Sequence, residues 1–92
     1  MKYVPEISDE EIKDNILFKL HWKKYWGARH TAFESVKKGI PKHLGGRYLD
    51  MAKELIKEGL IVSKPTSYGL QISLNSKRRE EVIERAERFA KK

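Results

Sequence analysis

Between Tyr48 and Leu74 the hydrophobic period changes once, and the change falls on a glycine. Tyr48, Leu49, Ala52, Leu55 and Ile56 recur at helical spacing, with Arg47, Asp50, Lys53, Glu54 and Lys57 on the other side. Gly59 ends that helix, since glycine accepts the left-handed backbone of a helix stop. Leu60 to Lys64 then reads as a strand, and Pro65-Thr66-Ser67 as a turn in which Pro65 presets φ. Leu70, Ile72 and Leu74 alternate with Gln71, Ser73 and Asn75, the two-residue period of a half-buried return strand. A helix that feeds directly into a hairpin sets an α+β fold.

The flanking segments are helical. Ser8-Asp9-Glu10-Glu11 is a capping box opening a helix over 8–25, with Ile12, Ile16 and Leu20 as its core stripe and Gly27 beyond its end. Phe18, Trp22, Tyr25 and Trp26 form a second, aromatic stripe on a neighbouring face. Thr31-Ala32-Phe33-Glu34 reads as another capping box for a short helix over 31–38, stopped by Gly39-Ile40-Pro41. The helix with the stripe described above is expected over 46–58, after Gly45-Gly46, and the hairpin over 60–74. Ser76 opens a last helix over 76–91, whose apolar positions are Val82, Ile83, Ala86, Phe89 and Ala90. Glu81–Arg85, Glu84–Arg88 and Glu87–Lys91 are spaced as i,i+4 ion pairs. One domain over 1–92 is expected.

Charge is sorted along the chain. The 92 residues carry a net +7, which makes nucleic acid or another acidic surface the default partner. Met1 to Asn15 is acidic, whereas Ile16 to Tyr48 holds eight Lys/Arg against Glu34 alone, together with His21, His30 and His43. With no cysteine, disulfides, thiol catalysis and cysteine zinc sites are excluded. The histidines lack metal-ligand spacing, so neither a metal nor a cofactor is expected, and no small-molecule ligand is evident. No Gly-rich phosphate loop, nucleophile elbow or paired inward carboxylates appear, so no enzyme is expected. No apolar run approaches the roughly 20 residues of a membrane span, and a cytoplasmic protein without membrane association is the plain reading.

The run Leu49-Asp50-Met51-Ala52-Lys53-Glu54-Leu55-Ile56-Lys57-Glu58-Gly59-Leu60-Ile61-Val62 resembles the recognition helix and first wing strand of winged helix-turn-helix domains. Tyr68-Gly69-Leu70-Gln71-Ile72-Ser73-Leu74 is similar to the returning wing strand. The resemblance covers Thr31 to Asn75 and is to small stand-alone prokaryotic DNA-binding proteins of that superfamily. It implies a three-helix core, a two-stranded wing and an added C-terminal helix. It also implies a recognition helix in the major groove and a wing on the backbone. The same fold serves RNA, ribosome and protein–protein contacts, and those readings stay open beside DNA.

By that resemblance Arg47, Lys42, His43 and Asp50 are candidate contacts in the first turns of the recognition helix, with Arg47 bonding a guanine edge, and Lys53 is a further candidate on the same helix. Lys64, Thr66, Ser67 and Tyr68 form the wing tip, where hydroxyls can bond phosphate. Arg29 and His30 are further candidates for phosphate. Lys77-Arg78-Arg79 falls in the expected first turn of the last helix, where the backbone dipole disfavours cations and a bound phosphate would reconcile them. Phe18, Trp22 and Trp26 with Val82, Ile83 and Phe89 are expected as core or dimer seam. The expected protein is a small transcriptional regulator or chromatin-associated factor that binds double-stranded DNA as a homodimer.

Overall fold

The computed structural model describes residues 7–91. Met1 to Glu6 and Lys92, within the expected domain, lie outside the described residues. Among these residues the elements run α1 (Asp9–Trp22), β1 (Thr31–Ala32), a 3₁₀ turn (Phe33–Lys37), α2 (Lys42–Glu58), β2 (Ile61–Thr66), β3 (Gly69–Leu74), a second 3₁₀ turn (Ser76–Arg78) and α3 (Arg79–Ala90). The fold is α+β, with three α-helices and a three-stranded antiparallel sheet in the order β1-β3-β2.

α1 starts as the sequence indicates: Ser8 Oγ accepts from the Glu11 amide and Glu11 Oε1 accepts from the Ser8 amide, each at 3.1 Å. It ends three residues earlier than expected, at Trp22, because Lys24 takes a left-handed φ of 63°. Tyr25 and Trp26 therefore leave the helix. Tyr25 O accepts from the Leu74 amide at 2.8 Å, and Trp26 lies in a parallel bridge to Leu74, so this segment extends the sheet past β1.

Thr31 and Ala32 do not cap a helix. They pair with Ile72 and Gln71 as β1, which makes the expected two-stranded wing a three-stranded sheet. The turn that follows is 3₁₀, not α. Its two buried residues, Phe33 and Val36, stand three apart, the period of that tighter helix. α2 begins four residues earlier than expected, at Lys42, with Pro41 at its N-cap. Gly45 and Gly46 lie inside it because burial of Leu44, Tyr48 and Ala52 outweighs their poor helix propensity.

Gly59 adopts φ 84° and its amide closes onto Ile56 O and Leu55 O, the expected helix stop. Pro65 lies in β2 opposite Leu70, not in the turn, which is Ser67-Tyr68. β2 is a sheet edge, so the missing proline N–H faces no partner strand. The core packs Ile12, Ile16, Leu17 and Leu20 of α1 against Tyr48, Ala52 and Leu55 of α2, Ile72 and Leu74 of β3 and Val82 of α3.

Candidate nucleic-acid interface

A network of ion pairs joins α1, α3 and the end of α2. Asp14 is 2% exposed and is held between α1 and α3. Its Oδ1 accepts from Arg85 Nε and Arg88 Nη2, each at 3.0 Å, and its Oδ2 from Arg88 Nε at 2.8 Å. Arg85 also reaches Glu10 at 2.9 Å and Glu58 at 3.5 Å, and Glu58 pairs with Lys13 at 2.5 Å. Burial opposes ionisation of Asp14, but the hydrogen bonds and charges of Arg88 and Arg85 outweigh it and hold the carboxyl below its usual value. For Lys13 the Glu58 hydrogen bond outweighs burial and raises its pKa. The i,i+4 pairs expected along α3 are thus replaced by bonds between helices. Among the described residues, Glu81–Arg85, Glu84–Arg88 and Glu87–Lys91 are not within ion-pair distance.

Two of the expected nucleic-acid contacts belong to this paired surface. Arg47 donates from Nη2 to Ile7 O at 2.9 Å and to Asp9 Oδ1 at 2.7 Å, which ties α2 to the start of α1. Arg78 donates to Glu58 O at 2.9 Å and to Glu81 Oε1 at 2.6 Å. The dipole conflict expected at Lys77-Arg78-Arg79 is eased but not removed, since Arg78 is the N-cap of α3 and Arg79 its first residue. Residues 76–78 form a 3₁₀ turn capped by Asn75, α3 opens only at Arg79 with Glu80 and Glu81 in its first turn, and Arg78 serves the negative C-terminal end of α2. Lys77 is exposed, and the Arg79 guanidinium lies over Trp26, 5.0 Å from the ring centre.

The outer face of α2 is different. Lys42, His43, Gly46, Asp50, Lys53 and Lys57 are exposed along it, and none of its lysines pairs with a carboxylate among the described residues. Its first turn holds no acid and no side-chain cap, so free amides and cations stand together there. Neither glycine of this turn is required by the backbone or the packing. Both lie outside the positive-φ set, a Cβ at Gly45 would meet Lys37 at an ordinary 3.5 Å, and one at Gly46 would meet nothing within 4 Å. Gly45 is buried, but Gly46 is exposed, and a bare exposed position that the fold does not demand admits close approach by another molecule's backbone.

The tip of the β2–β3 hairpin adds Lys64, Ser67 and Tyr68, all exposed, with Tyr68 93% exposed. Thr66 is committed to the turn itself: its hydroxyl donates to Gly69 O at 2.8 Å and accepts from the Tyr68 amide at 3.1 Å. Arg29 and His30 lie before β1, with His30 Nδ1 3.2 Å from Gln71 Oε1. Arg29 lines a separate open groove with Trp22, Trp26, Lys24 and Arg79.

The aromatic stripe is divided. Phe18 stacks between Trp22 and Phe89, with ring centres 6.0 and 5.5 Å away. Val82 is buried and Ile83 half-buried in α3, but Trp22 remains 73% exposed. Trp26, outside the helix, donates from Nε1 to His21 Nδ1 at 3.3 Å. Sequence reading did not find Gly46, Lys57 or Asp14 as positions of consequence. A glycine pair inside an otherwise helical stripe was the available signal for the first. No family model, curated protein or solved structure matches this chain.

Proposed function

We propose that the chain is a winged helix-turn-helix protein that binds double-stranded DNA through the outer face of α2, with the β2–β3 hairpin beside it. The element order and the antiparallel β1-β3-β2 sheet support that assignment of the fold. The observation that carries the reading is the charge sorting. Carboxylates neutralise the cations between α1, α3 and the end of α2, while Lys42, Lys53, Lys57 and Lys64 stay exposed and, among the described residues, unpaired. Unpaired surface cations release counterions when they meet phosphates, which is the main source of affinity for a duplex.

Lys42, His43 and the amides of the first turn of α2 take the phosphates flanking a groove, and Gly46 lets the helix sit close. Lys53 and Lys57 follow along the same face, and Lys64, Ser67 and Tyr68 of the hairpin meet the adjacent backbone. Asp50 stands in the middle of this stripe, so a base-edge donor such as a cytosine amine suits it better than a phosphate. Arg47 positions α2 on α1 instead of entering the groove. A homodimer formed through Phe18, Trp22 and Phe89 would double a short half-site, as a small transcriptional regulator requires.

Titration of labelled random-sequence duplex DNA and of structured RNA at two salt concentrations tests this. Salt-sensitive binding that favours the duplex is the expected result. Equal or tighter binding of RNA would move the function to an RNA partner, and no binding at low salt would end the nucleic-acid reading.

A further inference from the structure

Among the described residues Lys19 has no carboxylate partner, although it is half-buried. Its Nζ donates to Val36 O at 3.2 Å and Lys38 O at 3.0 Å and lies 5.7 Å from the Tyr48 ring centre. Burial, and then the charge of Lys23, lower its pKa, the mark of an ammonium whose charge is incompletely compensated. It lines a cavity of about 130 Å³ between α1, β1 and the first 3₁₀ turn. Ile16, Leu20 and Val36 supply its apolar floor, and Lys23, Lys38, Tyr25, Thr31 and Ser35 complete the lining. No carboxylate lines it. The Lys19 ammonium feels the charge of Lys23, and with Lys38 on the same rim the site would gain from an anion that also covers the apolar floor.

We propose that this cavity binds a compact organic carboxylate, its apolar body on Ile16, Leu20 and Val36 and its charge among Lys19, Lys23 and Lys38. Size sets the class. An apolar cavity of ~150 Å³ takes one benzene ring, so one ring or a short branched chain fills this space and a nucleotide does not. A bare phosphate would meet the lysines and leave the floor uncovered. The 3₁₀ turn that forms one wall leads directly into α2, so the ligand would stand behind the first turn of the proposed DNA-binding face. The binding itself does not depend on that reading.

Methyl NMR of the free protein, titrated with benzoate, benzyl alcohol and inorganic phosphate, tests the site without nucleic acid. Benzoate is expected to shift the Ile16, Leu20 and Val36 methyls saturably, with a dissociation constant on the order of 1 mM or tighter. Benzyl alcohol and phosphate are expected to bind far more weakly. The double substitution Lys23→Gln/Lys38→Gln, at two exposed positions, should weaken benzoate roughly fivefold. Lys19→Met should weaken it further, with circular dichroism confirming the fold. Equal affinity for benzyl alcohol would show that the lysines do not select the ligand, and equal affinity for phosphate would show that the floor does not. Either result, or no saturable shift by about 10 mM benzoate, overturns the proposal.

Discussion

Glu58 and Lys42 stand at the two ends of α2, and their surroundings differ in kind. Around Glu58 every charge has a partner: Lys13 and Arg85 meet its carboxylate, Arg78 takes its carbonyl, and Arg85 continues to Asp14 and Glu10. Around Lys42 the helix start is uncapped and the exposed lysines of α2 have no carboxylate partner among the described residues, while Lys37 beside it pairs with Glu34. The first arrangement joins three segments far apart in sequence, and its geometry is closed. The second is left open although closing it would be simple, since one acid in the first turn of α2 would favour the helix dipole. Ion pairs thus tie the Glu58 end of α2 into the fold, and the Lys42 end is left open.

Asp14→Asn should have the largest effect. The substitution keeps the shape but turns a neutral amide toward the Arg85 and Arg88 donors, and losing those charged hydrogen bonds costs about 1–3 kcal/mol. The cost should appear as a large drop in melting temperature with little change in DNA affinity per folded molecule. It also carries a pH signature. The Asp14 carboxyl is depressed in the folded state, so its contribution is complete above the unfolded value near 3.8 and is lost as pH falls through the lower folded value. The gap in stability between the natural chain and Asp14→Asn should therefore close in acid and stay constant from neutrality to mildly acidic pH. A constant gap at all pH values would show that Asp14 contributes only by packing.

Removing charge from the open face should reverse the pattern. Lys42→Gln with Lys53→Gln should leave stability within about 0.5 kcal/mol, as for exposed positions without partners. DNA affinity should fall at least about tenfold at moderate salt, and the slope of log affinity against log salt should lessen by about 2. An unchanged slope would remove α2 from the interface and shift attention to the groove lined by Arg29 and Arg79.

The smallest effect is the most discriminating. Gly46→Ala places a methyl where nothing lies within 4 Å and should stabilise the helix by about 0.5–1 kcal/mol. If Gly46 is kept for close approach, the more stable variant should bind DNA several-fold more weakly. A stabilised variant with full affinity would show that the glycine has no part in binding.

Much of the local structure was legible because its causes are local. Ser8 and Glu11 are three residues apart, Gly59 follows an amphipathic helix at once, and the alternation from Leu70 to Leu74 needs no partner to be recognised. The candidate site was legible in part, since the cations of α2 and the hairpin are visible as charge. Which of them are free was not. Arg47 and Arg78 look like their neighbours in sequence, yet they are spent on Asp9, Ile7 O, Glu81 and Glu58 O.

The chain by itself determined an α+β order of elements, where helices and hairpin change over, and a surplus of positive charge ahead of α2 and within it. These follow from backbone preference and hydrophobic period, which act over a few residues. Tertiary structure alone decided that Thr31-Ala32 is a strand, that Arg85 meets Asp14 instead of Glu81, and that Lys19 closes a cavity. Each depends on residues distant in sequence that come together only when the core packs. For a long side chain, the burial and charge it finds across that core outweigh the weak pairing offered by a neighbour four residues along its own helix.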